Sequence, residues 1–148
     1  MLARLADALE QTSTWLRRSA PPSQWNAVAM STLEVLERTG SQRLQALVAH
    51  EHITQPGMTA LVSRLEVAGF VDRAPDPSDG RATLVSITRT GRDHLSEFRA
   101  LRTQTLLAAL NALPPREQQS LAGVTDALIM LTEQSSRSEE EPPWSKSS

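Results

Sequence analysis

Cysteine is absent from the 148 residues, which excludes disulfide bonds, thiolate metal ligands and a thiol-based redox switch. Aromatic residues make up only 3% of the chain. No apolar run comes near the roughly 20 residues that a helix needs to span a bilayer, so no membrane association is expected. The N-terminus has an acid at Asp7 and no uninterrupted apolar stretch, which argues against a signal peptide and favours a cytoplasmic location.

An excess of basic residues is also missing. The 15 lysines and arginines are outnumbered by 17 acids, and the formal net charge is −2. Proteins that bind nucleic acid commonly have a basic balance, because neutralising phosphates supplies much of their affinity. Any such function here must therefore depend on arginines at particular positions. The remaining composition, 39% hydrophobic and 22% charged, is ordinary for one globular domain with or without added helices.

Apolar residues recur at helical spacing over most of the chain. They predict helices over 2–18, 24–38, 43–50, 55–68 and 90–112. Ser23 is the expected N-cap of the second helix and Thr54 that of the fourth, in which Pro56 occupies the first turn. Beyond Pro115, apolar residues recur with the spacing of a coiled-coil seam, at Leu121, Val124, Leu128 and Leu131. The stretch 135–148, rich in Ser, Glu and Pro, is expected to be disordered.

A different pattern follows the fourth helix. Residues 70–73 are short and strand-like, the stretch 75–80 is dense in turn formers, and 81–88 is rich in β-branched residues. Together they predict a β-hairpin with a mobile tip. The order of helix, helix, turn, helix and hairpin is that of a winged helix-turn-helix. The expected fold class is therefore mainly α with a small β-hairpin wing.

The fourth helix has a pattern that suits contact with DNA bases. Its apolar side is expected to be buried and comprises Met58, Leu61, Val62, Leu65 and Ala68. The opposite side has Gln55, Thr59 and Ser63 one turn apart, with Arg64 beside them. Such short side chains let a helix enter a major groove closely, where glutamine pairs with adenine and hydroxyls meet bases or phosphates. An ordinary solvated face is the alternative, although the long charged pairs typical of one are missing.

The hairpin adds two arginines, Arg73 before the turn and Arg81 after it. Guanidinium groups suit phosphates and narrow minor grooves. Asp79 is expected to hold Arg81 in place through a charge-assisted hydrogen bond. A plain surface hairpin with one ion pair is an equal alternative if the hairpin is considered alone. Taken with the fourth helix, it favours DNA binding, with Gln55 and Thr59 as the best candidates for base contacts.

Three segments of the sequence together resemble the MarR family, namely 53–73, 76–81 and 84–88. The family's wing motif Asp-x-Arg corresponds to Asp79-Gly80-Arg81. Its motif Leu-Glu-x-x-Gly-hydrophobic-Val corresponds to the run from Leu65 to Val71. The similarity extends over about residues 25–95. The chain departs from it at Gly57 and Ala60, where many relatives have a hydroxyl and a basic residue.

The resemblance implies a homodimer that binds double-stranded DNA as a transcriptional repressor and is released by a small aromatic effector. Residues 1–20 and 91–134 would form the N- and C-terminal dimerisation helices. They would flank the winged helix-turn-helix at 21–90, and 135–148 would be a tail. Each winged domain would contact one half of a pseudo-palindromic operator, with half-site centres about 34–36 Å apart.

Other candidate sites carry less weight. Trp15, Trp25 and Met30 are candidates for the effector pocket that the resemblance implies, with ordinary core packing an equal alternative. His50 and His52 do not share a helix face, so a metal site is not predicted. The sequence has no nucleophile elbow, phosphate loop or metal triad, and neither an enzyme activity nor a cofactor is expected.

The charge of the winged segment keeps other functions open. Between residues 54 and 94, five arginines are matched by five acids. This neutral balance is compatible with a winged-helix protein-interaction module that does not bind DNA strongly. A small-molecule carrier or an enzyme is a third interpretation, for which the sequence offers no site chemistry.

Overall fold

The computed structural model describes residues 1–19 and 24–140, with side chains as far as residue 134. Within these ranges the elements are α1 (Leu2–Ser19), α2 (Ala27–Thr39), β1 (Gln42–Arg43), α3 (Leu44–Glu51), α4 (Gln55–Val67), β2 (Val71–Asp76), β3 (Asp79–Ile87), α5 (Arg89–Asn111), α6 (Pro115–Ala122) and α7 (Thr125–Glu140). The chain divides into two compact units, Met1–Thr105 and Leu106–Ser148. The expected class, mainly α with a small β wing, is confirmed.

The wing is a three-stranded antiparallel sheet in the order β1-β3-β2, where the sequence predicted a hairpin alone. The additional strand β1 pairs with β3, placing Gln42 opposite Val85 and Arg43 opposite Leu84. Two residues are too few to show an alternating pattern, so no sequence signal marks β1.

The turn of the wing is tighter than expected. Strand β2 continues through Pro75 to Asp76 and β3 begins at Asp79, which leaves only Pro77 and Ser78 between them. Because β2 is an edge strand, it tolerates a proline that cannot donate to a neighbouring strand. The register shifts between Pro75 and Asp76, so the last residue of β2 departs from the regular pairing.

Capping residues fix where two of the helices begin. As predicted, Thr54 caps α4, and its Oγ1 accepts a hydrogen bond from the backbone N–H of Gly57 at 3.2 Å. The predicted start of the second helix at residue 24 is wrong. Asn26 is extended, with φ −77° and ψ 174°, and its Oδ1 accepts from the N–H of Ala29 at 2.9 Å. The expected cap Ser23 lies outside the described residues.

The C-terminal part differs from the expected seam. Leu121 belongs to α6, Leu128 and Leu131 belong to α7, and Val124 lies between the two helices. Gly123, which follows α6, is where the single seam is interrupted. Helix α7 continues to Glu140, so the prediction of disorder is wrong for residues 135–140. Residues 141–148 lie outside the described part of the chain.

The first unit is built around one hydrophobic core. Its fully or nearly buried members are Trp25, Ala29, Met30, Leu33, Val35, Leu36, Leu47, Met58, Leu61, Val62, Leu65, Val71, Val85, Ile87 and Leu95. They include four of the five residues that the sequence assigned to the buried side of α4, and Ala68 packs against the cluster partly buried. In the described residues, no helix is both long and apolar enough to cross a membrane.

Helix α5 begins where the backbone of another segment lies very close. Thr88 donates its backbone N–H to the carbonyl of Phe70 at 3.0 Å, and its Oγ1 accepts from Gly91 N–H at 3.0 Å. A Cβ on Gly91 would overlap that Phe70 carbonyl oxygen and lie 2.9 Å from Ile87 Cγ1. Only glycine therefore lets α5 start this close to Phe70, which lies between α4 and β2.

Replacing Gly91 by alanine should lower the free energy of unfolding by about 1–3 kcal/mol, because the added methyl forces backbone to move. Urea denaturation at a fixed protein concentration measures the loss. Gly123→Ala is the control, since its Cβ would meet no atom closer than 3.5 Å. Equal midpoints for the two variants would contradict the close packing at Gly91.

Candidate nucleic-acid interface

Helix α4 has one buried and one exposed side. Met58, Leu61, Val62 and Leu65 are buried, while Gln55, Thr59 and Arg64 are exposed and Ser63 is half-buried. Burial of the apolar residues fixes the rotation of the helix about its axis. The residues proposed for base contacts at its N-terminal end therefore face away from the core.

The hydroxyl groups of α4 are engaged within the helix itself. Thr59 Oγ1 donates to the carbonyl of Gln55 at 2.9 Å, and Ser63 Oγ donates to the carbonyl of Thr59 at 2.9 Å. Each hydroxyl proton is consequently used, which leaves Thr59 a methyl group and oxygen lone pairs for an incoming ligand. In the described part of the chain, the side-chain amide of Gln55 has no hydrogen-bond partner.

Arg73 contacts helix α4. Its Nη2 donates to Ser63 Oγ at 2.7 Å and to the carbonyl of Thr59 at 3.3 Å, and its Nε lies 3.3 Å from Glu66 Oε2. The side chain is only 28% exposed. Sequence analysis proposed that Arg73 contacts DNA, whereas in the structure its guanidinium joins β2 to α4. We interpret it as the residue that holds α4 against the wing.

Arg64 lies at the other end of α4 from Gln55. Its Nη2 donates to the carbonyl of Gln24 at 3.2 Å, and its Cζ is 5.2 Å from the ring centre of Trp25. The guanidinium thus covers the start of the α2 region through a cation–π contact. Arg64 belongs to the last turn of α4 and is therefore apart from the N-terminal turn, where the proposed base contacts lie.

The structure brings Gln55 and Arg81 to one cleft. This cleft has a volume of about 300 Å³ and is lined by Arg43, Leu44, Gln45, Gln55, Asp79, Arg81, Ala82 and Thr83. The guanidinium of Arg81 is exposed and has no partner among the described residues. Asp79 was expected to bind that guanidinium. Its Oδ1 accepts instead from the backbone N–H of Arg81 at 3.1 Å, which shapes the start of β3.

Sequence analysis missed a cluster at the tip of the wing. Asp76 is buried, with an exposed fraction of 7%, and its carboxylate lies against Arg43 and Ser78. Hydrogen bonds from the Ser78 backbone and hydroxyl, then from Arg43, hold the pKa of Asp76 at about 2, below its usual 3.8. The carboxylate therefore contributes stability above about pH 4 and loses it as the pH falls towards 2. Arg43 and Asp76 are too far apart in sequence for any local pattern to pair them.

A second cavity, of about 350 Å³, lies among α1, α2 and the first part of α5. Trp25 and Met30 line it, as the sequence proposed for an effector pocket, whereas Trp15 is not among its lining residues. Phe98 adds a second aromatic ring, and Arg17 and Arg102 add two guanidinium groups. Ser31 also lines this cavity and donates at 2.7 Å to Glu51 Oε1, at the end of α3.

The different environments of Arg73 and Arg81 predict different effects on stability. Arg73→Ala removes three contacts to α4 and should lower the free energy of unfolding by about 1–2 kcal/mol. Arg81→Ala removes an exposed side chain and should change it by less than about 0.5 kcal/mol. Urea denaturation of both variants tests the distinction. Equal stability losses would mean that the Arg73 contacts to α4 add nothing.

The chain is similar in sequence and in structure to known transcriptional regulators. The MarR family profile matches residues 25–83. An uncharacterised HTH-type transcriptional regulator of Mycobacterium bovis is 34% identical over 137 residues, which cover 90% of this chain and 96% of the relative. A transcriptional regulator of Pseudomonas aeruginosa has a similar structure, with a TM-score of 0.70 and 28% identity over 89% of this chain and 94% of its own.

A second similar structure concerns a mechanism by which 6-hydroxynicotinic acid regulates DNA binding of BpsR from Bordetella bronchiseptica. It has a TM-score of 0.57 and 22% identity, and covers 86% of this chain and 92% of its own. The profile match lies on the core of the first unit and on the wing, which are the segments that carry the sequence motifs. The chain belongs to the MarR family and is a helix-turn-helix transcriptional regulator, not an enzyme.

Proposed function

We propose that this regulator binds a pseudo-palindromic DNA operator as a homodimer, represses transcription, and releases the DNA when a small aromatic molecule binds. The observation that carries the proposal is the shared cleft of Gln55 and Arg81. Among the described residues, the side-chain amide of Gln55 at the start of α4 has no hydrogen-bond partner. The guanidinium of Arg81 on the wing has none either. An amide suits a base edge in the major groove, and a guanidinium suits the neighbouring phosphates or minor groove.

We assign each predicted residue a role in DNA binding from its exposure and its contacts in the structure. Gln55 and Thr59 would contact bases, because they lie on the exposed side of the first two turns of α4. Arg81 would contact the DNA backbone. Arg73 and Ser63 would support α4 from the wing side, since they bind each other at 2.7 Å.

The proposed dimer is supported by apolar side chains that nothing in the described chain covers. No residue of α1 or α6 is buried, and Leu2 is 73% exposed. Further exposed apolar residues are Leu5, Leu107, Leu110, Leu121, Ile129 and Met130. Extensive apolar surface of this kind is typical of a protein interface. A second copy of the chain would cover it and would supply the second DNA-binding domain for the other half-site.

The effector part of the proposal rests on the cavity that contains Trp25, Met30 and Phe98. Two guanidinium groups beside aromatic and thioether side chains suit a planar aromatic acid. The cavity has a direct link to the helix-turn-helix through the Ser31–Glu51 hydrogen bond. A ligand that favours one arrangement of these helices would shift the population away from the DNA-binding form. BpsR, with its 6-hydroxynicotinic acid, gives a first probe.

The alternative of a protein-interaction module remains motivated by the neutral charge of residues 54–94. The salt dependence of duplex binding separates the two functions. A DNA-binding protein loses affinity steeply as salt displaces it from phosphates, whereas a slope near zero for every duplex would favour the interaction module.

DNA binding is tested with a duplex that the purified protein selects from random sequences. Arg81→Ala should weaken binding to selected and unselected duplexes alike and lower the log–log salt slope by about one. Gln55→Ala should chiefly reduce discrimination at one base pair of each half-site, by about 1–3 kcal/mol. Fluorescence anisotropy over a salt series measures both effects.

Arg38→Ala is the matched control for Arg81→Ala, because it removes an exposed arginine from the last turn of α2, which neither lines the cleft nor belongs to the apolar surface proposed for the dimer. It should leave affinity and slope unchanged. Wild-type affinity for the Arg81→Ala variant would rule out the wing contact, and an absence of any selected duplex would rule out sequence-specific binding.

The effector pocket is tested with a panel of aromatic acids beginning with 6-hydroxynicotinic acid. At least one should raise the Kd of the wild-type protein for the selected duplex. Arg102→Gln should bind the duplex normally and lose that response, because Arg102 lines the cavity. Arg38→Gln, an exposed change at the end of α2 that is not in the cavity lining, should keep it. A panel without effect on the wild type would contradict the effector proposal.

A further inference from the structure

The wing ends in a buried carboxylate, although the residues around it are exposed. Asp76 has an exposed fraction of 7%, while Pro75, Pro77, Ser78 and Asp79 are all exposed. Burying a charge is costly unless partners replace the lost water. A buried acid at the tip of an exposed turn therefore indicates that specific contacts hold this turn.

Both carboxylate oxygens of Asp76 have partners, which are Ser78 for one oxygen and the oppositely charged Arg43 for the other. Oδ1 accepts from Ser78 N–H at 2.8 Å and from Ser78 Oγ at 2.7 Å. Oδ2 accepts from Arg43 Nε at 2.7 Å and lies 2.6 Å from Arg43 Nη2. Arg43 Nη2 also donates to Ser78 Oγ at 3.2 Å. We call these three residues the wing clasp.

The wing clasp joins the turn of the wing to the helix-turn-helix. Arg43 is the residue immediately before α3, and its backbone is paired with Leu84 of β3. Its side chain reaches the turn that follows β2. The planar guanidinium can bond two groups at once in a fixed geometry, which a lysine cannot. The clasp thus restrains the turn relative to the start of α3.

The same arginine borders the cleft shared by the proposed DNA-contacting residues. Arg43, Gln55 and Arg81 all line it. Arg81 comes soon after the clasped turn, and Asp79 binds its backbone N–H at 3.1 Å. The position of the Arg81 guanidinium relative to Gln55 therefore depends on how the turn is held.

We propose that Arg43 is a positioning residue for DNA recognition, which acts through Asp76 and Ser78 to keep Arg81 at a fixed distance from Gln55. The proposal rests on the DNA binding proposed above. A held turn does not have to be ordered when DNA binds, so the clasp raises affinity without itself touching the duplex.

This role gives an expectation of unusual sign. Removing an acid near DNA ordinarily strengthens binding, because it removes repulsion from phosphates. Asp76→Asn removes an acid from the wing but also breaks the clasp, and it should weaken binding of the selected duplex by about tenfold. Asp72→Asn is the matched control. It removes an exposed acid from the same strand and should leave binding unchanged or strengthen it.

The variants Arg43→Gln, Asp76→Asn and their combination form a double-mutant cycle. Each single variant should lose about tenfold in affinity, and the double variant should lose no more than either, because both break the same contact. Arg43→Gln should keep the wild-type salt slope, since Arg81 still reaches its phosphate in the complex. Loss of a direct phosphate contact at Arg43 would instead lower the slope by about one.

Hydrogen exchange on the free protein tests the wing clasp without DNA. The amide protons of Ser78 and Arg81 should exchange faster in Arg43→Gln and Asp76→Asn than in the wild type, with exchange in α4 unchanged. This measurement is independent of the proposed function. If the wild type selects no duplex, the DNA-binding proposal fails, and faster exchange at the turn would still be observed.

Three results would overturn the positioning role. The first is equal or tighter duplex binding by Asp76→Asn, which would mean that its charge alone matters. The second is a lower salt slope for Arg43→Gln with unaltered exchange at Ser78, which would make Arg43 a direct phosphate contact. The third is additive losses in the double variant.

Discussion

The first unit depends on a single core to which the helices α2 to α5 and the strands β2 and β3 contribute. Leu33 of α2, Leu47 of α3, Leu65 of α4, Val85 of β3 and Leu95 of α5 are all fully buried. Removing apolar surface from water is the main favourable contribution to such a fold. Because α4 can bury only its apolar side in this core, the side with Gln55 and Thr59 must face outward. The orientation of the proposed DNA-contacting residues is thus a consequence of packing.

Once the core has oriented α4, polar contacts set the position of the wing. Arg73 joins β2 to α4, and Arg43 joins the turn of the wing to the start of α3. The first contact is made from within β2, and the second is made at the turn that follows β2. They restrain the wing at two points, so that it cannot pivot freely about either. Arg43, Arg64 and Arg73 all bind groups within the first unit, whereas Arg81 presents its guanidinium to solvent.

The arginine pairings explain how a chain with a formal net charge of −2 can expose an unpaired positive group. The acids of the winged segment are not all available to repel DNA, since Asp76 is neutralised by Arg43 and Glu66 is paired with Arg73. Net charge counts every ionised group equally, whereas a phosphate responds to those groups that are exposed and close. A neutral segment can therefore present a local positive site at Arg81.

The sequence by itself determined the elements with a periodic pattern and the motifs with a fixed spacing. Residues only a few positions apart determine the helices, the Thr54 cap, the buried side of α4 and the family resemblance. The folded protein retains such local patterns. Only the tertiary structure decided the roles of Arg73, Arg64, Asp79 and Arg43. An arginine side chain is long enough to bind any of several neighbours, and which neighbour lies within reach depends on how distant segments pack. The same reason explains the strand β1, whose two residues become a strand only because β3 lies beside them.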